Sequence, residues 1–268
     1  MVDGGRPGRA PDGGPLEMDA LVDAAWGLAA TEDACVVRPS LPILYFGDRR
    51  RYETSPRKII TVALNPSHHE FPAADRFQRF PAAAFDPRAA DRPASAAYLA
   101  ALDDYFRIAP YRSWFVWFEH VLRGLGASYY DGAENAALHT DLCSPLATDP
   151  TWSRLSPDRQ ARLLAAGRPL WHRLVERLAP DAIVISLARR YRDEIAFADP
   201  RGWRPLVTIP RADPARRPYD AWMQWTSLTA GARTLLVFGP AAQQPFATLD
   251  REDRQRVGRA AGERLGAG

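Results

Sequence analysis

The sequence predicts an α/β fold, a three-layer α/β/α sandwich around a mainly parallel, four-stranded central sheet. Three observations carry that reading. Four short apolar runs, Lys58–Leu64, Ala136–Leu142, Ala182–Leu187 and Thr234–Phe238, have the length and branching of strands buried on both faces. Helical stretches lie between them, and strands alternating with helices build a parallel sheet covered on both sides. The loops after these runs, Asn65–Phe71, Asp141–Thr148 and Gly239–Phe246, are polar or proline-bearing. They fall at the carboxyl ends of the strands, where such sheets bind ligands.

The elements follow in chain order. The first 15 residues, rich in glycine and proline, read as a flexible lead, and residues 16–268 as one domain without internal repeats. Residues 16–30 have helical spacing, with Leu16, Leu21, Val22, Ala25 and Leu28 on one face. After the strand Lys58–Leu64, residues 72–93 are punctuated by proline and read mostly as loop. From Ala94 to about Leu125 the pattern is helical, and Tyr105, Phe106, Trp114, Phe115, Trp117 and Phe118 are expected in the core. Residues 157–178 form an amphipathic helix opened by Ser156 at the N-cap and Pro157 at the first helical position. Arg189–Phe197 reads as helical, and a last, polar helix runs from about Asp250 to Leu265.

Composition excludes several classes. Of 268 residues, 46% are hydrophobic and 25% charged, which is ordinary for a folded domain and rules out wholesale disorder. No apolar run reaches the ~18 residues of a membrane span. The N-terminal residues contain no apolar core segment, so no secretory leader is expected. Cys35 and Cys143 are too few for a disulfide scaffold, a four-cysteine zinc site or an iron–sulfur cluster, and are expected as reduced thiols in a cytoplasmic protein. The net charge of +3 does not by itself predict a nucleic-acid partner. Lys58 is the sole lysine among the 35 basic residues. Codon bias explains that more readily than function, but it limits amine chemistry.

The phrase Val62-Ala63-Leu64-Asn65-Pro66-Ser67-His68-His69-Glu70-Phe71, followed by Asp75-Arg76-Phe77, resembles the first motif of the uracil-DNA glycosylase superfamily. It is most similar to the mismatch-specific branch, in which a strand ends in Asn-Pro and is followed by Phe-Pro and Asn-Arg-Phe. Thr140-Asp141-Leu142 sits where the family has a strand ending in a base-reading residue, and Thr234–Phe238 with Gly239-Pro240 matches its final strand and DNA-contacting loop. The order of elements agrees over about residues 40–265, with roughly a dozen residues matching as motifs.

The resemblance implies roles. Asn65 would hold the water that attacks the deoxyribose carbon; read alone, Asn-Pro after a strand is more readily a turn former. Phe71 would stack under a flipped-out base, or else pack in the core. Ser67 stands where the uracil-specific branch crowds the pyrimidine 5-position with a tyrosine, and so leaves room there. Asp141 stands where that branch reads uracil with an asparagine; a carboxylate suits the amino group of cytosine better, though an Asx turn or cap explains the residue as well. Gly239 replaces the family's histidine, leaving His68 or His69 to assist the departing base. Gly239, Pro240, Gln243 and Gln244 would press the DNA strand, with a glutamine filling the vacated stack.

The expected function is therefore a monofunctional DNA glycosylase that releases a flipped-out pyrimidine, a 5-substituted cytosine in first place, without metal or organic cofactor. DNA is the expected partner, with no membrane and no obligate protein partner. Relatives that attack modified phage bases suggest, by analogy, a role in defence. Two other readings stand beside it. One is a glycosylase-fold module that binds modified or damaged DNA without cutting. The other is a metal hydrolase using His68, His69, Glu70, His139 and Asp141, although adjacent histidines lack the spacing of a helical zinc motif.

Overall fold

The computed structural model describes residues 17–30, 33–83, 92–211, 213, 215, 217–229, 231 and 233–267. The N-terminal lead and Leu16 lie outside them. The fold is α/β, but the sheet has seven strands and is mixed, where four parallel ones were expected. In chain order the strands are β1 (Ile59–Ala63), β2 (Ala127–Ser128), β3 (Asn135–Asp141), β4 (Ala182–Ile185), β5 (Arg204–Ile209), β6 (Tyr219–Ser227) and β7 (Arg233–Phe238). Across the sheet they run β2-β3-β1-β4-β7-β6-β5.

The four expected strands are β1, β3, β4 and β7, and they are parallel to one another. Every residue of β1, β3 and β4 is buried; β1 and β4 are apolar apart from Thr61, whereas β3 also buries Asn135, His139, Thr140 and Asp141. The unforeseen additions are the two-residue β2 on one edge and the antiparallel pair β5–β6 on the other. β6 alternates between buried and half-exposed positions, and β5 carries Pro205 in an outer strand, where a missing N–H is tolerated. Neither has the uniform apolar run that betrays a central strand.

Helices cover both faces. They are α1 (Met18–Ala29), α2 (Arg49–Thr54), α3 (Ser95–Asp103), α4 (Tyr105–Ile108), α5 (Arg112–Gly124), α6 (Pro157–Leu178) and α7 (Arg251–Gly266). Adjacent residues of β3 show the two sides: the His139 ring meets Phe115 and Phe118 of α5, while Thr140 accepts a hydrogen bond from the Trp171 indole of α6. α1 packs with α6, and α5 with α7. The last two cross so closely that a Cβ on Gly258 would lie 2.0 Å from the Val121 carbonyl oxygen. The helix expected over 94–125 is thus three helices, interrupted by the segment around Pro110, and Arg189–Glu194 is a 3-10 turn rather than an α-helix. α6 begins as expected, with Ser156 accepting from the Arg159 amide and Pro157 in the first turn. Buried apolar side chains form one cluster from Leu21 to Ala261. Among the described residues no helix is long and apolar enough to cross a membrane.

The topology places the site. From β1 the chain moves to β3 on one side, then returns through α6 to β4 on the other. The carboxyl end of β1 is therefore the switch point of the sheet, where the flanking loops diverge and leave a crevice. Ala63 pairs with Asp141, Val62 with Ile185, and Ile185 with Phe238, so the loops after all four central strands start level.

Candidate active site

A cleft of about 560 Å³ opens at this edge. Its floor is the segment Ala63–Asn65, one wall is Ser67–His69 with Tyr111 and Trp114, and the opposite rim is Ala241–Pro245. A smaller recess of about 50 Å³ continues inward, sharing Asn65, Ser67, Tyr111 and Trp114 with the cleft. Phe46 and Phe115 complete its aromatic walls, and Glu70, His139 and Asp141 line it.

Asn65 stands at the junction. Its Nδ2 donates to the Pro66 carbonyl at 2.7 Å, the Leu146 carbonyl at 3.3 Å and the Thr148 hydroxyl at 2.9 Å. Two of these partners only accept, so the amide cannot be flipped, and Oδ1 is left facing away from that cage. The cage exists because the loop after β3 folds back along the loop after β1: the Thr148 amide donates to Pro66, and the His68 amide to Thr148. An oriented amide oxygen with no protein partner among the described residues is an acceptor for a water proton, which is what positioning a nucleophile requires.

Ser67 lines both chambers, and its hydroxyl caps the following 3-10 turn by accepting from the His69 amide. That turn, His68–Glu70, sets three side chains in different directions. His68 and His69 line the outer cleft with ring centroids 4.1 Å apart, and His69 lies 5.0 Å from Tyr111. Burial, with the neighbouring His68 and Arg79, lowers the His69 pKa, so His69 is a neutral ring at pH 7. His68 Nδ1 is buried without a hydrogen bond, 3.7 Å from Asp149.

Glu70 turns inward. Tyr105 of α4 donates to its Oε2 at 2.6 Å, and Arg79 stands 3.8 Å from the same oxygen. Burial drives its pKa up to about 7, and the Asp141 charge pushes the same way against Tyr105 and Arg79. Asp141 is also raised by burial, partly offset by His139, whose Nε2 lies 3.7 Å from Oδ1. The other ring nitrogen of His139 is held at 2.7 Å by Thr61, which is in turn bonded to Tyr129. The recess thus presents two carboxyl groups and an imidazole in an aromatic, water-poor wall.

Two expected site residues are used elsewhere. Phe71 is fully buried, stacked on Phe80 at 5.4 Å and edge-on to Phe77, and lines neither chamber. Its faces are already covered, so among the described residues the aromatic rings lining the cleft are those of Tyr111, Trp114 and Trp152, with the buried Phe46 and Phe115 walling the recess. Gly239 is buried too, its N–H donating to Ile185 and its carbonyl accepting from Ser186, so it offers nothing to a DNA strand. The reason for glycine is space: a Cβ there would meet the Phe246 ring at 2.0 Å and the Tyr219 hydroxyl at 2.6 Å. Phe246 itself adopts φ +51°, uncommon for a bulky residue, and is pinned by Ser186 Oγ on its N–H and Arg254 on its carbonyl. Gly239→Ala is accordingly expected to cost about 1–3 kcal/mol of stability, read as a shifted urea midpoint with an unchanged slope.

The rest of that loop is where expected. Gln243 and Gln244 are exposed on the rim, and Pro240 lines a second groove of about 460 Å³ behind it, with Arg189 and Thr248. Arg154 on the cleft edge and Arg189 are exposed, and neither makes an ion pair among the described residues. Sequence reasoning did not set these two apart among so many arginines. It also did not single out Thr148, Tyr111 or Phe46, whose roles depend on long-range contacts. Among the described residues no group of three His, Cys, Asp or Glu side chains is arranged to hold a metal ion, so the metal-hydrolase reading lacks a ligand set.

No family model matches the chain, and no curated protein matches it.

Proposed function

We propose that this protein is a monofunctional DNA N-glycosylase acting on an extruded pyrimidine. The observation that carries the proposal is the caged amide of Asn65, with its nitrogen held by three acceptors and its oxygen free beside an aromatic-walled recess. An amide is a poor base, but it suffices when the glycosidic bond loosens first and the sugar becomes cation-like. Water held at Oδ1 then adds to C1′ as the C1′–N1 bond breaks; the hydroxyl stays on the sugar, and the water's second proton passes to the departing base. The base would enter between Tyr111 and Trp114 with its polar edge towards Asp141 and its 5-position towards Ser67. Arg154 and Arg189 have the charge and exposure to hold phosphates on either side, and Gln243 or Gln244 to fill the vacated stack.

A strand carrying the substrate base should stay intact after incubation and break only on treatment with alkali, which marks an abasic site. Borohydride should trap no covalent adduct through a lysine. Lys58 is the sole lysine, and it precedes β1, so about seven residues of extended chain, roughly 23 Å, separate it from Asn65. An adduct mapping to Lys58 would overturn that expectation.

One observation favours a second reading, binding of modified DNA without base release. The Phe246 ring excludes any side chain at position 239, so the electrophilic histidine of the resembled family has no place there. Retention of a modified duplex with no alkali-labile product would select it.

A further inference from the structure

Glu70 is unassigned in the mechanism above, yet it is the least exposed acid among the described residues. It is 4% exposed, lines the recess, and has only one of its two oxygens engaged, by Tyr105 and Arg79. Oε1 has no protein partner among the described residues. Asp141, 7% exposed, lines the same recess, with only the longer 3.7 Å approach of His139 on one oxygen. Both carboxyls line one recess of about 50 Å³, where burial and the Asp141 charge disfavour the ionised form of Glu70, so the two are expected to hold one shared proton.

We propose that Glu70 is a specificity-determining residue, donating a hydrogen bond from its carboxylic acid to the ring N3 of a cytosine-type base while Asp141 accepts one from the exocyclic amino group. This rests on the glycosylase reading. The shared proton goes to Glu70 rather than Asp141 because His139 faces Asp141 and favours its charged form, whereas burial outweighs what Tyr105 and Arg79 do for the charged form of Glu70. Acceptor beside donor is the complement of cytosine's donor–acceptor edge and the inverse of uracil's. Uracil would meet an unfavourable partner at both positions.

The groups facing Glu70 are Tyr105 from α4, Arg79 from the segment before the 3-10 turn at Pro81, and Asp141 and His139 from β3. Since Asp141 faces the same recess, the wild-type profile alone does not isolate Glu70, but Glu70→Gln does. A glutamine amide accepts from Tyr105 through its oxygen and donates into the recess at every pH. The experiment measures single-turnover release of 5-hydroxymethylcytosine and of uracil from matched duplexes between pH 6 and 9, with wild type, Glu70→Gln and Glu70→Ala, and melting curves to confirm folding. Wild type should lose cytosine release about tenfold per pH unit above pH 8, as the donor proton is lost. Glu70→Gln should keep its release to pH 9, and Glu70→Ala should lose tenfold to a hundredfold at pH 6 and most of its preference over uracil. An alkaline limb unchanged in Glu70→Gln, or full preference in Glu70→Ala, overturns the assignment. Release of uracil in preference to every cytosine by wild type overturns it while leaving the glycosylase reading intact. If no base is released, the same duplexes are compared by fluorescence anisotropy. Cytosine-selective binding that weakens with pH in wild type and not in Glu70→Gln sustains the role of Glu70 without catalysis, and equal binding of both bases at all pH values removes it.

Discussion

Asn65→Ala is expected to reduce base release by two to three orders of magnitude while DNA binding stays within a few-fold of wild type. On the proposed mechanism the alanine removes the acceptor that orients the attacking water, and misplacing a nucleophile by an ångström already costs about a hundredfold. It removes little contact surface, because Asn65 sits at the floor of the cleft and the arginines and glutamines of the rim are untouched. The cage left behind loses three hydrogen bonds, which should lower stability by about 1–3 kcal/mol. Asn65→Asp will not substitute. A carboxylate would direct lone pairs at the Pro66 and Leu146 carbonyls, so the more basic side chain is expected to fold less stably and to hold no better-placed water. Single-turnover release, anisotropy with a modified duplex and urea melts, read together on both variants, check all three statements. Near-normal turnover in Asn65→Ala would remove this residue from the chemistry.

Base preference should move with Asp141 and Ser67. Wild type is expected to release a 5-substituted cytosine faster than uracil by about tenfold to a hundredfold, the cost of setting a carbonyl against a carboxylate in a dry recess. Plain cytosine should be a poor substrate, since nothing fills the space beside Ser67. Asp141→Asn supplies a side chain with both donor and acceptor and should turn the preference towards uracil. The same change removes a charge facing His139 and Glu70, so the alkaline loss of activity should shift with it. Ser67→Tyr places a ring where both chambers meet, and should exclude glucosylated and hydroxymethylated cytosines before it affects uracil. Competition between differently labelled oligonucleotides in one reaction reads these ratios directly; an unchanged ratio in Asp141→Asn would end its role as base reader.

What the sequence disclosed follows from which forces act locally. β1, β4 and β7 were readable because burial on both faces favours a nearly unbroken apolar run, β3 from its apolar stretch Ala136–Leu138, and α6 because Ser156-Pro157 and a long amphipathic repeat mark it independently of context. β5 and β6 were not, because a strand at the sheet margin is held by its neighbour more than by its own apolarity. The same division runs through the site. Asn65, Ser67 and Asp141 were singled out by the motif resemblance, and all three line the cleft or its recess. Phe71 and Gly239 lie in the same segments yet serve packing, a difference decided by Phe80 and Phe246, partners set by the tertiary fold. Glu70 appeared only as a candidate metal ligand. Its burial, and with it its chemistry, depends on Tyr105 arriving from 35 residues away.

The most direct test is chemical identification of what leaves the DNA. Purified protein is incubated with oligonucleotides carrying uracil, mismatched thymine, cytosine, 5-hydroxymethylcytosine or its glucosylated form, and the low-mass fraction is analysed by mass spectrometry beside an alkali-cleavage assay of the strand. Glycosylase action predicts free modified cytosine in amounts matching the alkali-labile sites, with uracil slower and no free base from Asn65→Ala. Intact nucleotides in the low-mass fraction, or no free base from any strand that the protein binds, would contradict it.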